Sequence, residues 1–141
     1  MSRRTDIQAA LLTQLTDSAI KYKAIYNNVD NKYPKDLTIS QLPAVKIYFA
    51  DEDYDYKPAL RSMNKISFDL YIYVIEWSKT DTSTEENILK IVRNKLGNDI
   101  RVNNTCVDLS VSSIVKLEVE YPLVCYKLNI KCKYEESISN L

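Results

Sequence analysis

Apolar residues recur along the chain in two periods, and the switches between them mark out the elements. Ile7, Leu11 and Leu15, widened by Ala10 and Leu12, fall on one stripe of a helix running from Thr5 to about Thr16. Thr5 is placed to cap it, with Gln8 three residues on. The helix either continues to Tyr22 or breaks near Asp17-Ser18, the favoured reading, because the alternation Ile20, Tyr22, Ala24, Tyr26 argues for a strand soon after. Asn27 to Gln41 is a polar connection, long enough to suggest a functional reason. Leu42 to Phe49 reads as a strand whose proline, Pro43, sits at its start. Lys65 to Trp77 reads as a longer strand. Ile66, Phe68, Leu70, Ile72 and Val74 line one face, and Ser67, Asp69, Tyr71, Tyr73 and Ile75 line the other. These two strands and the acidic loop between them predict an extended hairpin.

A second helix is expected from about Thr82 to Leu96, with Ile88, Ile91, Val92 and Leu96 as its apolar face. Glu85 and Glu86 in its first turn and Arg93 and Lys95 in its last match the helix dipole. Gly97 stands where a left-handed C-cap is wanted. Asn98 to Ser113 reads as irregular, with a short strand at Cys106 to Leu109. Val115, Leu117 and Val119 alternate with Lys116, Glu118 and Glu120 in a strand that Tyr121-Pro122 interrupts. In the last strand Tyr126, Leu128, Ile130, Cys132 and Tyr134 face one way, and Lys127, Asn129, Lys131 and Lys133 the other. Such alternation means one buried and one wet face. The expectation is a single α+β domain over residues 1–141. It has a mixed or antiparallel sheet of four to five strands, two helices packed on one face, and a long protruding hairpin. Residues 1–4 are expected to form an arm, and residues 135–141 a tail that is mobile or used in a contact.

Composition narrows the chemistry. Lys plus Arg equals Asp plus Glu at 19 each, so no overall basic field draws the chain to nucleic acid. No apolar run approaches the roughly 18–20 residues that cross a bilayer. Arg3 and Arg4 are not followed by the apolar stretch of a secretory signal, so a cytoplasm is the expected place of synthesis. Cys106, Cys125 and Cys132 form an odd set without a CxxC pair, read as buried thiols in a reducing compartment. With no histidine, the commonest general base and metal ligand are missing. With one glycine, no Gly-rich phosphate loop can form.

The acidic stretch Asp51, Glu52, Asp53, Asp55 resembles a cation loop only superficially. It has no central glycine, and Ser62 stands where an EF-hand needs its closing glutamate. With Tyr54, Tyr56 and Arg61 it reads as a solvated or partner-facing segment, with adventitious cation binding and acid–base chemistry as the alternatives. Tyr71, Tyr73 and Trp77 suit either ordinary sheet surface or a protein interface. Base stacking is a third option, disfavoured because basic residues are not interleaved on that strand. Lys127, Lys131 and Lys133 form a basic row that protects a wet face, or else meets an acidic partner or DNA together with Arg3 and Arg4. No catalytic residue, metal site or cofactor is expected.

The layout as a whole resembles the tail-terminator, or tail-completion, proteins of long-tailed bacteriophages. The matching stretches are Arg4-Thr5-Asp6-Ile7, Leu42-Pro43-Ala44-Val45-Lys46-Ile47, the Asp51 to Tyr56 turn, Phe68 to Val74, and Leu128 to Tyr134. They span about residues 4 to 134. The near absence of glycine and the high tyrosine content depart from the family's pattern. The resemblance implies a structural virion protein, not an enzyme, forming a six-fold ring of identical copies in the tail and neck. Its expected partners are the tail tube protein and a head-closure or neck protein, with DNA passing through the lumen unbound and no membrane. Assembly would take place in the host bacterial cytoplasm. Another neck component, or a binding module unrelated to phage, stands as the alternative.

Overall fold

Among the described residues, two α-helices form at the two sites where apolar side chains repeat every four residues, α1 (Arg3–Gln14) and α2 (Ser83–Asn98), with one short 3-10 turn at Ile39–Gln41. The computed structural model describes residues 3–26, 38–53, 61–76, 83–103, 105–117, 119 and 122–137. The strands are β1 (Tyr22–Tyr26), β2 (Ala44–Asp53), β3 (Arg61–Ile75), β4 (Asp108–Leu117) and β5 (Leu123–Ser137). They form one sheet in the order β1-β2-β3-β5-β4. β1 lies parallel to β2 and every other neighbouring pair is antiparallel, so the sheet is mixed.

Both helices cover the same face. Ile7, Leu11 and Leu15 from the α1 segment and Ile88, Val92 and Leu96 from α2 join Val45, Ile47, Phe68, Leu70, Leu128 and Ile130 in one core. Each such side chain contributes about 1.5–3 kcal/mol on leaving water. The helix ends are closed by side chains distant in sequence. Gln14 Nε2 donates to the carbonyls of Lys95 (2.8 Å), Leu96 (3.2 Å) and Asp99 (3.0 Å), sealing the end of α2. Lys23 Nζ does the same for α1, donating to the Leu12 carbonyl and the Thr16 hydroxyl. Burial lowers the pKa of Lys23. At the start of α2 the buried Glu76 carboxylate accepts the Thr84 N–H (3.1 Å).

Several expectations shift. α1 begins at Arg3, so Thr5 lies within its first turn instead of capping it. Arg4 is helical, with its guanidinium 4.4 Å from the Phe49 ring centroid, so it does not belong to a loose arm. Gly97 is helical and has no positive φ. Among the described residues, the left-handed ones are Val102 (φ 47) and Asn103 (φ 55). They are held by the Asp99 carboxylate, which accepts the N–H of Arg101 (3.1 Å) and of Asn103 (2.7 Å). Glu135 to Ser137 continue β5 against Met63 to Arg61, so part of the expected tail is sheet.

Two β-bulges reset which side chains face which way. In β4 the register slips between Val111 and Ser113. Val111, Ile114 and Lys116 therefore stand on the helix side, opposite Ile130, Leu128 and Tyr126. Val115 and Leu117 turn to the other face. In β2 the slip between Phe49 and Asp51 sends Asp51 outward and Glu52 inward, where the Tyr134 hydroxyl donates to its carboxylate.

Candidate interaction surface

The sheet face away from the helices carries Asp51, Asp53, Tyr71, Tyr73, Lys127, Lys131 and Lys133 of the residues singled out above. Directly opposite residues share a face, so this surface falls into rows across β2, β3, β5 and β4. Asp53, Lys65, Lys133 and Asp108 make the first row, and Asp51, Ser67, Lys131 and Ser110 the next. Then come Tyr48, Asp69, Asn129 and Ser113, followed by Lys46, Tyr71, Lys127 and Val115. Ala44, Tyr73, Cys125 and Leu117 form the last.

These rows dilute the basic stripe expected on β5. Lys133 sits between Lys65 and Asp108. Lys131 shares its row with Asp51. Lys127 Nζ lies 3.8 Å from Asp69, which also accepts Asn129 Nδ2 at 2.9 Å. The surface at this end is a mosaic of both signs. Asp51 and Asp53 are exposed ladder residues of β2, and Glu52 is half-buried.

The other end is aromatic. Tyr48 packs edge-on to Tyr71 (5.1 Å between ring centroids) and beside Tyr26 (5.8 Å), and Tyr71 stacks on Tyr73 (6.5 Å). The fully buried Lys46 lies with its Nζ 4.3 Å from the Tyr26 centroid and 5.5 Å from that of Tyr73. Tyr73 is 1% exposed and clusters with Ala44 and Cys125. It is therefore interior, not the open contact residue that its alternation suggests. Tyr71 is half-buried, and burial, aided by the charge of Asp69, raises its pKa. Burial pushes the Cys125 thiol up to about 12. All three cysteines are free and buried. Arg61 lies on β3 opposite Ser137, and Arg3 opens α1. Tyr54, Asp55, Tyr56 and Trp77 fall outside the described residues.

The sequence reading misses two features. The first is Glu85, expected only as a match to the dipole of α2. It is 4% exposed, accepts the Tyr126 hydroxyl (2.8 Å), and lies 3.3 Å from Lys116 Nζ. That contact ties α2 to β4 and β5. Burial, reinforced by the bond to Glu85, raises the pKa of Tyr126. The second is that the strands expected at Cys106–Leu109 and from Val115 onward are one continuous strand, β4, running through Ser110 to Ile114. Of the six large apolar side chains exposed among the described residues, Val107, Val111, Ile114 and Val115 lie on this edge strand or directly before it. A run of β-branched residues there is the signal that could have found it.

Among the described residues no group of three or more His, Cys, Asp or Glu is placed to hold a metal ion. No helix there is long and apolar enough to cross a membrane. An open groove of about 550 Å³ lies between α1 and the α2–β4 connection. Its Gln14 and Asp99 already serve backbone groups.

The described residues thus define an α+β protein whose surface is built from sheet rows and edges. No protein-family model matches the sequence, and no curated protein matches it. Among solved structures, a chain from "Virion of native gene transfer agent (GTA) particle" is similar over 92% of this chain and 94% of that one. The identity is 13% and the TM-score 0.48, a likeness too slight to assign a function.

Proposed function

We propose that the chain is a structural subunit of a phage-like virion, forming a ring that terminates the tail tube and joins the tail to the neck. The observation that supports this is the element order. A helix, a strand, a long hairpin, a second helix and a terminal strand pair follow one another as in the resembled tail-terminator family, within one mixed sheet. Terminating a polymer requires one surface that matches the tube end and another that does not repeat it. The reading gives the chain no reaction to catalyse. Asp51, Asp53 and the lysines beside them act as a mixed-sign surface that lets DNA pass without holding it.

Purified tail tubes mixed with the protein and viewed by electron microscopy provide the test. The expected result is a ring on one end of each tube, and no further growth when tube protein is added. Tubes that keep growing would end the termination reading. Binding to an isolated neck or portal complex instead would move the chain to another place in the neck.

A further inference from the structure

We infer that the outer edge of β4 in one copy of this chain receives the outer edge of β1 in the next, joining copies head to tail through one continued sheet. This deepens the assembly reading above and depends on it for its biological setting, but its physical basis is separate.

β4 is ten residues long and, among the described residues, pairs only with β5. Sheet edges are usually protected by charge, proline or shortness. The stretch from Ser110 to Val115 has no charge, proline or glycine, and Val111, Ile114 and Val115 are exposed along it. At the other end of the sheet β1 pairs only with β2 among the described residues.

The two edges fit each other in direction. β1 is parallel to β2, and three antiparallel steps lead from β2 to β4, so β4 runs opposite to β1. A second copy continuing the sheet therefore meets β4 in an antiparallel pairing. They also fit in pattern. Tyr22 and Leu117 stand at the two ends of one row, Ala24 and Val115 of another, and Ile25 and Ile114 of a third. Extending those rows places Tyr22, Ala24 and Ile25 of the next copy beside Leu117, Val115 and Ile114, apolar against apolar on each face. The bulge before Ser113 gives β4 this phase. The row that would bring Lys23 to Lys116 is relieved, because Lys23 turns to the end of α1 and Lys116 to Glu85. Such a heterologous contact repeats from copy to copy and closes into a ring when the rotation allows.

The test uses the full chain, Val115→Glu, Ala24→Lys and the double variant, with thermal melts to show that each folds. Sedimentation velocity at high subunit concentration, with and without tail tubes, should show wild-type assemblies larger than dimers. Each single change should weaken association by roughly tenfold or more. The double variant should regain it, since every interface then sets Glu beside Lys. Hydrogen exchange on the wild-type protein gives a readout that needs no variant: Tyr22–Tyr26 and Ser113–Leu117 should gain protection together on assembly. Single variants that assemble like wild type would overturn the inference. So would a wild type that never associates, or protection confined to other segments. Sensitivity to Val115→Glu but not Ala24→Lys would replace it with a two-fold β4–β4 contact. Assemblies protected at both edges that fail to cap tubes would remove the tail-terminator role and leave this contact standing. Capped tubes without that protection would remove the contact alone.

Discussion

Gly97 shows how a residue's chemistry can mislead when its backbone is unknown. Its position just after the apolar stripe suggests a left-handed cap, yet it is an ordinary helical residue. A Cβ built there meets nothing within 4 Å. Gly97→Ala is therefore expected to stabilise the fold by about 0.5–1 kcal/mol, seen as a higher urea midpoint at unchanged slope. A fall in the midpoint would mean that the helix ends before this residue. Asp17 offers a second check. Its carboxylate accepts the Ala19 N–H at 2.9 Å and lies 3.5 Å from Lys95 Nζ. Chiefly through the backbone bond, its pKa is held below the ordinary value. A depressed carboxylate stabilises the fold above its unfolded pKa, and that contribution is lost as pH falls through the folded value. Asp17→Leu should therefore flatten the acid limb of a stability–pH curve below about pH 4 and leave its shape near neutrality unchanged.

At the scale of elements, the helices are legible because their apolar spacing needs no partner to be recognised. Ile7, Leu11, Leu15 and Ile88, Val92, Leu96 all reach the core as their periods predict. What closes each helix is not legible, because Gln14 and Lys95 are 81 positions apart in the chain. Gln14→Leu should cost about 1–2 kcal/mol by leaving the α2 carbonyls without their donor. Hydrogen exchange should then rise at the end of α2 first; an unchanged end would mean that water replaces the side chain at no cost. The strands divide in the same way. β3 and β5 alternate cleanly over their inner faces and are found where expected. β4 is read only at its two ends, as separate strands, because its bulge swaps faces halfway and breaks the alternation that would join them. The same kind of slip at Ala50 splits the acidic triplet, turning Asp51 and Asp53 outward and Glu52 toward Tyr134.

For the whole molecule, the balance of 19 basic and 19 acidic residues is repeated locally on the outer sheet face, where lysines share rows with aspartates. The protein is expected to show no retention of double-stranded DNA in a gel-shift experiment at about 0.15 M salt. Retention abolished by neutralising Lys127, Lys131 and Lys133 together would show that the row acts as a patch after all. The candidate contact surface was only partly visible beforehand. Tyr73 is on the strand face that alternation assigns it, but that face is itself covered at this end, with Tyr73 only 1% exposed. Burial of a second sheet face depends on what packs over it, which the period of a single strand does not report.

Local order in this chain follows from its own residues. The two helices, the long strands, the α+β class and the lack of a histidine- or glycine-based site are consequences of side-chain period and composition. Those act over a few residues and need no knowledge of the rest. The pairing order β1-β2-β3-β5-β4, the bulges, the buried Glu85 and Lys46, and the apolar edge at β4 belong to the folded arrangement. Each depends on which strand lies beside which, and that is settled by contacts between segments far apart in sequence.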